Sequence, residues 1–236
     1  SKISKLYLIK EEENFKACIV GNKIDKKVWM NKEQENIYND FIKNTELKKL
    51  IVGIDYSGNT NEPNHRENKY QDIIPTLEKF KQSGLGITIH VGENPNYQNF
   101  PLNSFIPERI SHGCFLKEEY INDLIRKKIH TEICPTYSYK VNKCTDYSEI
   151  NMKKFWKKKI KKESGEEFAF DNISINSDCR TLLFTDISQE YYEVGLSFNL
   201  GINDLKNLII KTIDSIFDKD EELHNNLKNI LNNFNI

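Results

Sequence analysis

An α/β fold on a mainly parallel sheet is the class this sequence predicts, and three observations carry the prediction. Short runs able to form strands stand at residues 50–56 (Leu-Ile-Val-Gly-Ile-Asp-Tyr), 86–91, 109–113, 129–134 and 173–177. The run at 50–56 is continuous rather than alternating, as expected of a strand buried on both faces, and each of the five ends in polar or ionisable residues. The spacers between them include apolar residues at helical intervals, the pattern of a chain that returns to the same end of a sheet through helices. With no linker or fixed-period repeat, residues 1–236 read as a single domain.

Taken in order, residues 16–20 (Lys-Ala-Cys-Ile-Val) read as a short buried strand. Residues 33–41, with Ile37, Tyr38 and Phe41 on one stripe, read as a helix. The strand at 50–56 breaks at Ser57-Gly58-Asn59. Tyr70, Ile73, Ile74, Leu77 and Phe80 form the apolar stripe of a helix that Gly84 stops, and Pro75 inside it implies a late start or a kink. The strand at 86–91 follows, then a loop over 94–107 holding Pro95, Pro101 and Pro107.

Arg109-Ile110-Ser111-His112-Gly113 is a short strand end, and residues 117–128 are amphipathic through Tyr120, Ile121, Leu124 and Ile125. The strand at 129–134 is closed by Pro135. Seven lysines between 153 and 162 surround Trp156 and Ile160 and read as a solvated helix face, running into a lysine-rich surface insertion at 157–167. The strand at 173–177 leads to Asp178, and residues 203–217 and 220–234 read as two closing helices capped by Asn or Asp.

Composition narrows the function classes. Hydrophobic residues make up 38%, enough for a core, and the 29% of charged residues nearly cancel to a net charge of -1. That balance gives no global electrostatic case for a nucleic-acid or anionic-membrane partner. No window reaches the length of a membrane span and the N-terminus lacks the apolar core of a signal peptide, so the expected compartment is the cytoplasm. Cys18, Cys114, Cys134, Cys144 and Cys179 are scattered and never spaced as CxxC, which predicts reduced thiols.

Ionisable groups gather at the strand ends. His90 and Glu93 end one strand, His112 the next, and Asp178 the last. Imidazoles plus a carboxylate are the ligand set of a catalytic zinc, and a nearby carboxylate outside the metal shell can shuttle a proton. Singly, each residue has a plainer role: a hydrogen-bonded structural histidine, a helix cap for Asp178, a solvated loop residue for Glu93. Their coincidence at successive strand ends points to metal-assisted hydrolysis. His65 and His224 read as solvated, and His130 starts a strand, the wrong end for catalysis.

Asp55, a charge inside an apolar strand, either orients the reactive groups or salt-bridges a structural partner such as Arg109. Gly58 either offers backbone to a ligand or is a turn glycine. Cys114 and Cys134 read as core residues.

Five segments in order resemble the adenosine deaminase superfamily: Val52-Gly-Ile-Asp-Tyr-Ser-Gly58, Ile89-His-Val-Gly-Glu93, Arg109-Ile-Ser-His-Gly113, Glu132-Ile-Cys-Pro-Thr136 and Ile175-Asn-Ser-Asp178. Glu93-Asn-Pro-Asn96, His112-Gly-Cys-Phe-Leu116, Ser188-Gln-Glu-Tyr191 and Ser197-Phe-Asn-Leu200 are most similar to its N6-methyl-AMP deaminase branch. The resemblance implies a (β/α)8 TIM-like barrel lacking its first two strands in this chain, and one zinc per site. His90 and Asp178 would be zinc ligands, Glu93 would protonate purine N1, and His112 would deprotonate the attacking water. The Gly58 backbone would meet purine N3.

Several positions depart from the family pattern. No His-x-His pair occurs in the sequence, so two further histidine ligands are expected from outside the chain. Cys179 stands where the family has an aspartate that contacts purine N7, Ser111 replaces a glycine, and Tyr137 a serine. The expected function is deamination at purine C6 of an N6-substituted AMP to IMP by a monomer whose partner is a small purine nucleotide or nucleoside. The alternatives are deamination of adenosine to inosine and an inactive purine-binding relative.

Overall fold

The computed structural model describes residues 17–23, 39, 43–45, 51–58, 70–93, 95, 100–161 and 164–234. The chain divides into two compact units, Ser1–Glu108 and Arg109–Ile236. In the first, strands β1 (Ala17–Lys23), β2 (Ile51–Gly58) and β3 (Gly86–Val91) lie side by side in that order, all parallel. The sheet is parallel because each return runs through a long connection; helix α1 (Tyr70–Gln82) is the return from β2 to β3.

Strand β2 keeps pairing through Ser57↔Asn22 and Gly58↔Lys23, so it runs past the break expected at Ser57. A continuing partner ladder outweighs the turn preference of Ser-Gly. Helix α1 begins at Tyr70 and contains Pro75, so the late start does not occur. Its buried stripe of Ile73, Ile74, Leu77 and Phe80 compensates for the hydrogen bond that proline cannot donate, since each such side chain contributes roughly 1.5–3 kcal/mol. Gly84, at φ +86, ends the helix in a conformation that side-chain-bearing residues rarely adopt.

The loop before β4 is anchored in the same unit. Glu108 pairs with Lys81 at 2.6 Å and accepts the Ile87 N–H at 2.8 Å, and Phe100 meets Phe105 edge-on at 6.1 Å. The helix expected at 33–41 lies outside the described residues except at Asn39, as do His65, most of the 94–99 loop and the side chain of Cys18.

The second unit holds strands β4 (Arg109–His112), β5 (His130–Ile133) and β8 (Ile173–Ile175), parallel and ordered β4-β5-β8. Helix α2 (Glu118–Arg126) joins the first two. It has acids in its first turn, a base in its last, and Ile121, Leu124 and Ile125 fully buried. Pro135 closes β5 as expected but also opens helix α3 (Pro135–Val141), where its missing N–H costs nothing.

The lysine-rich segment corrects the helix expectation. Strands β6 (Lys159–Lys161) and β7 (Glu167–Ala169) form an antiparallel hairpin. Within β6 the exposed Lys159 and Lys161 flank the half-buried Ile160, and Lys161 faces Glu167 at 3.9 Å.

Four helices follow: α4 (Arg180–Leu183), α5 (Ile187–Ser197), α6 (Ile202–Asp214) and α7 (Glu221–Asn233). Asp186 and Asp220 cap α5 and α7 by accepting the Gln189 and Leu223 N–H groups. The cap of α6 is Gly201 rather than Asn203, with Asp204 reaching back to the Gly201 N–H at 3.2 Å. His224, expected to be solvated, meets the Asp218 carbonyl at 2.8 Å. No helix among the described residues is long and apolar enough to cross a membrane.

Candidate active site

In the first unit the register places Asp55 opposite Thr88 and Tyr56 opposite Ile89. Because successive side chains alternate between faces, Asp55, Ser57, Thr88 and His90 share one face, while Ile54, Tyr56, Ile87 and Ile89 are buried on the other. Asp55 and His90 are therefore diagonal neighbours, with His90 Nε2 at 3.2 Å from Asp55 Oδ1. The chain turns at Gly92 (φ 68), and Glu93 comes back to His90 Nδ1 at 2.8 Å.

Both nitrogens of one imidazole thus face carboxylates, and all three side chains are mostly shielded from solvent. Burial, the largest single influence on His90, disfavours its charged form. Hydrogen bonds to Asp55 and Glu93, together with their charges, outweigh it and push the pKa up from 6.5 to about 10. Asp55 contacts His90, whereas Arg109 pairs with Glu132 at 2.9 Å. Gly58 is the last residue of β2.

In the second unit His112, Cys134 and Asp178 each stand at or just past the carboxyl end of β4, β5 or β8. One donor atom from each, an imidazole nitrogen, the thiol sulfur and a carboxylate oxygen, all lie within 4.8 Å of one another. His112 (φ 70) and Asp178 (φ 49) both occupy left-handed backbone, which is costly for residues other than glycine. Gly113 (φ 73) continues the turn, and a Cβ there would sit 3.2 Å from Leu116 and Phe155.

The His112 ring packs on Tyr137 at 4.6 Å between centroids, and its carbonyl accepts the Asn151 amide. Burial pushes the Cys134 thiol well above its usual pKa, and the charges of Asp178 and Glu132 add to the effect. Cys179 is exposed at the start of α4.

Two residues that sequence reasoning did not single out for the site belong to its architecture. Cys134 is buried, as read, but also joins the donor set of His112 and Asp178; its place just before Pro135 at a strand end was the available signal. Glu190 is fully buried, accepting the Thr136 N–H at 2.9 Å and the Thr185 hydroxyl at 2.8 Å. It ties the turn after β5 to the segment after Asp178, and no periodicity announces a buried carboxylate.

Comparison with known proteins is consistent with this architecture. The adenosine deaminase family profile matches residues 14–233. The adenosine deaminase of Clostridium perfringens (strain ATCC 13124) is 26% identical over 186 residues, covering 77% of this chain and 51% of that protein. The N6-mAMP deaminase of Arabidopsis thaliana is 31% identical over 172 residues, covering 72% of this chain and 44% of that protein. Among solved structures, Arabidopsis ADAL complexed with IMP has a TM-score of 0.70 at 22% identity, over 92% of this chain and 57% of its own. An amidohydrolase from Burkholderia ambifaria with bound Zn has a TM-score of 0.60 at 17% identity, over 92% and 58%. This chain spans about half the length of the curated relatives it matches. With its parallel strands and intervening helices, the chain belongs to the adenosine deaminase family and carries part of that family's α/β barrel.

Proposed function

We propose that this chain serves a zinc-dependent hydrolytic deamination at purine C6, acting on an N6-substituted AMP such as N6-methyl-AMP and giving IMP. The observation that carries the reading is the Asp55–His90–Glu93 chain, which runs from within β2 to the carboxyl end of the adjacent parallel β3 and the turn after it. With a carboxylate against each ring nitrogen, His90 sits in negative surroundings that favour a cation, which supports a divalent metal there. On this reading His90 and Asp178 hold zinc together with two histidines outside this chain. Bound zinc would lower the pKa of a coordinated water to about 7.

The chain's own groups then have distinct tasks. Glu93 gives a proton to purine N1, which draws electron density from C6. His112 takes the proton from the attacking water, and its left-handed backbone and Tyr137 contact fix the ring's direction. Water oxygen bonds to C6, the C6–N6 bond breaks with the electron pair leaving on nitrogen, and methylamine or ammonia departs protonated. The Gly58 backbone would meet N3, and Cys179 would stand near N7 as a weaker polar partner than aspartate.

The nucleotide substrate is favoured over adenosine by the likeness to the Arabidopsis N6-mAMP deaminase and by the segments around Glu93 and Glu190 that match that branch. Incubating the full-length protein with zinc and N6-methyl-AMP, AMP or adenosine, and following the shift to inosine-type absorbance, should rank N6-methyl-AMP first. No turnover of any of the three would overturn the reading and favour a purine-binding relative, to which the substitution at Cys179 also points. Glu93→Gln should retain zinc and lose roughly 10²–10⁴-fold in rate.

A further inference from the structure

The β4–β5 ladder ends at Ser111↔Glu132, one residue short of His112, and the next two residues, His112 (φ 70) and Gly113 (φ 73), both take left-handed backbone. A residue with a side chain keeps that conformation only where its surroundings hold it. Here the hold comes from the 3₁₀ turn Asn151–Lys154 and the Phe155 that follows it. The Asn151 side-chain amide donates to the His112 carbonyl across 39 positions of sequence. The Phe155 ring lies 3.2 Å from where a Cβ on Gly113 would stand, and Lys154 Nζ donates to the Cys114 carbonyl at 3.1 Å. Three successive residues of the turn after β4 are thus gripped from one segment.

That segment is firmly seated. Ile150, Met152 and Phe155 have no solvent exposure, and Asn151 has 1%. The Asn151 backbone N–H donates to the hydroxyl of the buried Ser138 at 3.3 Å. Ser138 follows Tyr137 in α3, and Tyr137 is the residue whose ring packs on the His112 ring. One scaffold therefore holds His112 twice, by its ring through Tyr137 and by its backbone through Asn151. Of the contacts from residues 151–155, only the Asn151 amide bonds His112 itself; without that donor the peptide after His112 is free to turn and carry the ring with it.

We propose that Asn151 is a positioning residue for His112: its amide fixes the left-handed peptide, and thereby the direction of the imidazole that takes the proton from the attacking water. The effect on rate rests on the deaminase reading, whereas the effect on ring direction does not.

Three substitutions test this. Asn151→Asp keeps the shape and removes the donor, Asn151→Leu removes the polarity as well, and Asn151→Gln keeps a donor on a longer stem. With zinc and N6-methyl-AMP, the first two should lose roughly 10–100-fold in kcat with KM within about twofold of wild type, since a misplacement of about 1 Å costs rates of that order. Asn151→Gln should recover part of the loss. Independently of turnover, nuclear magnetic resonance should find the His112 ring protons displaced by the Tyr137 ring in the wild type, and closer to their free-histidine positions in Asn151→Asp and Asn151→Leu. Unmoved ring signals, an unchanged kcat, or a raised KM in place of a lowered kcat overturns the proposal. If neither Asn151→Asp nor Asn151→Leu folds, the residue is structural and the proposal falls as well. Ring signals that move in a protein with no turnover of any purine would uphold the role of Asn151 while removing the deaminase reading; turnover with unmoved ring signals would do the reverse.

Discussion

The Glu190 carboxylate accepts the backbone N–H of Thr136 at 2.9 Å across 54 positions of sequence, from a site with no solvent exposure. Its other oxygen accepts the Thr185 hydroxyl at 2.8 Å. One side chain thereby links the turn that follows Cys134 to the segment that follows Asp178 and Cys179. Glu190→Ala strands two buried donors, so it should lower unfolding stability by about 3 kcal/mol, and Glu190→Gln by less because its amide oxygen still accepts one bond. Urea unfolding followed by circular dichroism measures both. An alanine variant within about 0.5 kcal/mol of wild type would mean that the two contacts carry no net stability.

His90 predicts a pH dependence in the first unit. Asp55 and Glu93 raise its pKa from 6.5 to about 10 against the opposing effect of burial. Because the folded value is raised, the stabilisation is complete below pH 6.5 and is lost as pH rises through about 10. The metal-free chain should therefore weaken by a few kcal/mol between those limits, since each tenfold difference in proton affinity is worth about 1.4 kcal/mol. Urea midpoints at intervals across that range should fall for wild type and stay flatter for His90→Gln. Equal slopes for the two proteins would remove His90 as the source.

His130 acts in the opposite direction. Burial, its largest influence, lowers its pKa, and the bond to Asn172 only partly offsets this. The ring lies 2.9 Å from both the Asn172 and the Ser174 side-chain oxygens. A depressed folded pKa gives stability that is present above the unfolded value of 6.5 and lost as pH falls through the folded one. Nuclear magnetic resonance titration should find the His130 ring titrating below the usual histidine value of 6.5. A ring that titrates at or above the usual histidine value would contradict this.

Much of the strand-end chemistry was legible before the fold was known. Residues 86–91 are legible as a strand from the β-branched Ile87, Thr88, Ile89 and Val91, a run that delivers His90 and then Glu93 at its carboxyl end. The resemblance then set these segments in the family's order along the chain. Residues 153–162 were less legible, since seven lysines around Trp156 satisfy helical and strand patterns alike until the hairpin pairs Lys159 with Ala169. At Pro75 the local cost of a proline is visible in sequence, whereas the buried stripe that lets the helix start at Tyr70 is not.

The sequence by itself determined the parallel α/β class and which side chains stand at the ends of β2, β3, β4 and β8, because a buried strand must release its polar residues where it leaves the core. Tertiary structure decided which of them meet. Sheet register made Asp55 and His90 diagonal neighbours, strand order brought Cys134 beside His112 and Asp178, and Glu190 found Thr136. These contacts depend on pairing between distant segments, which the local periodicity of a single chain does not encode.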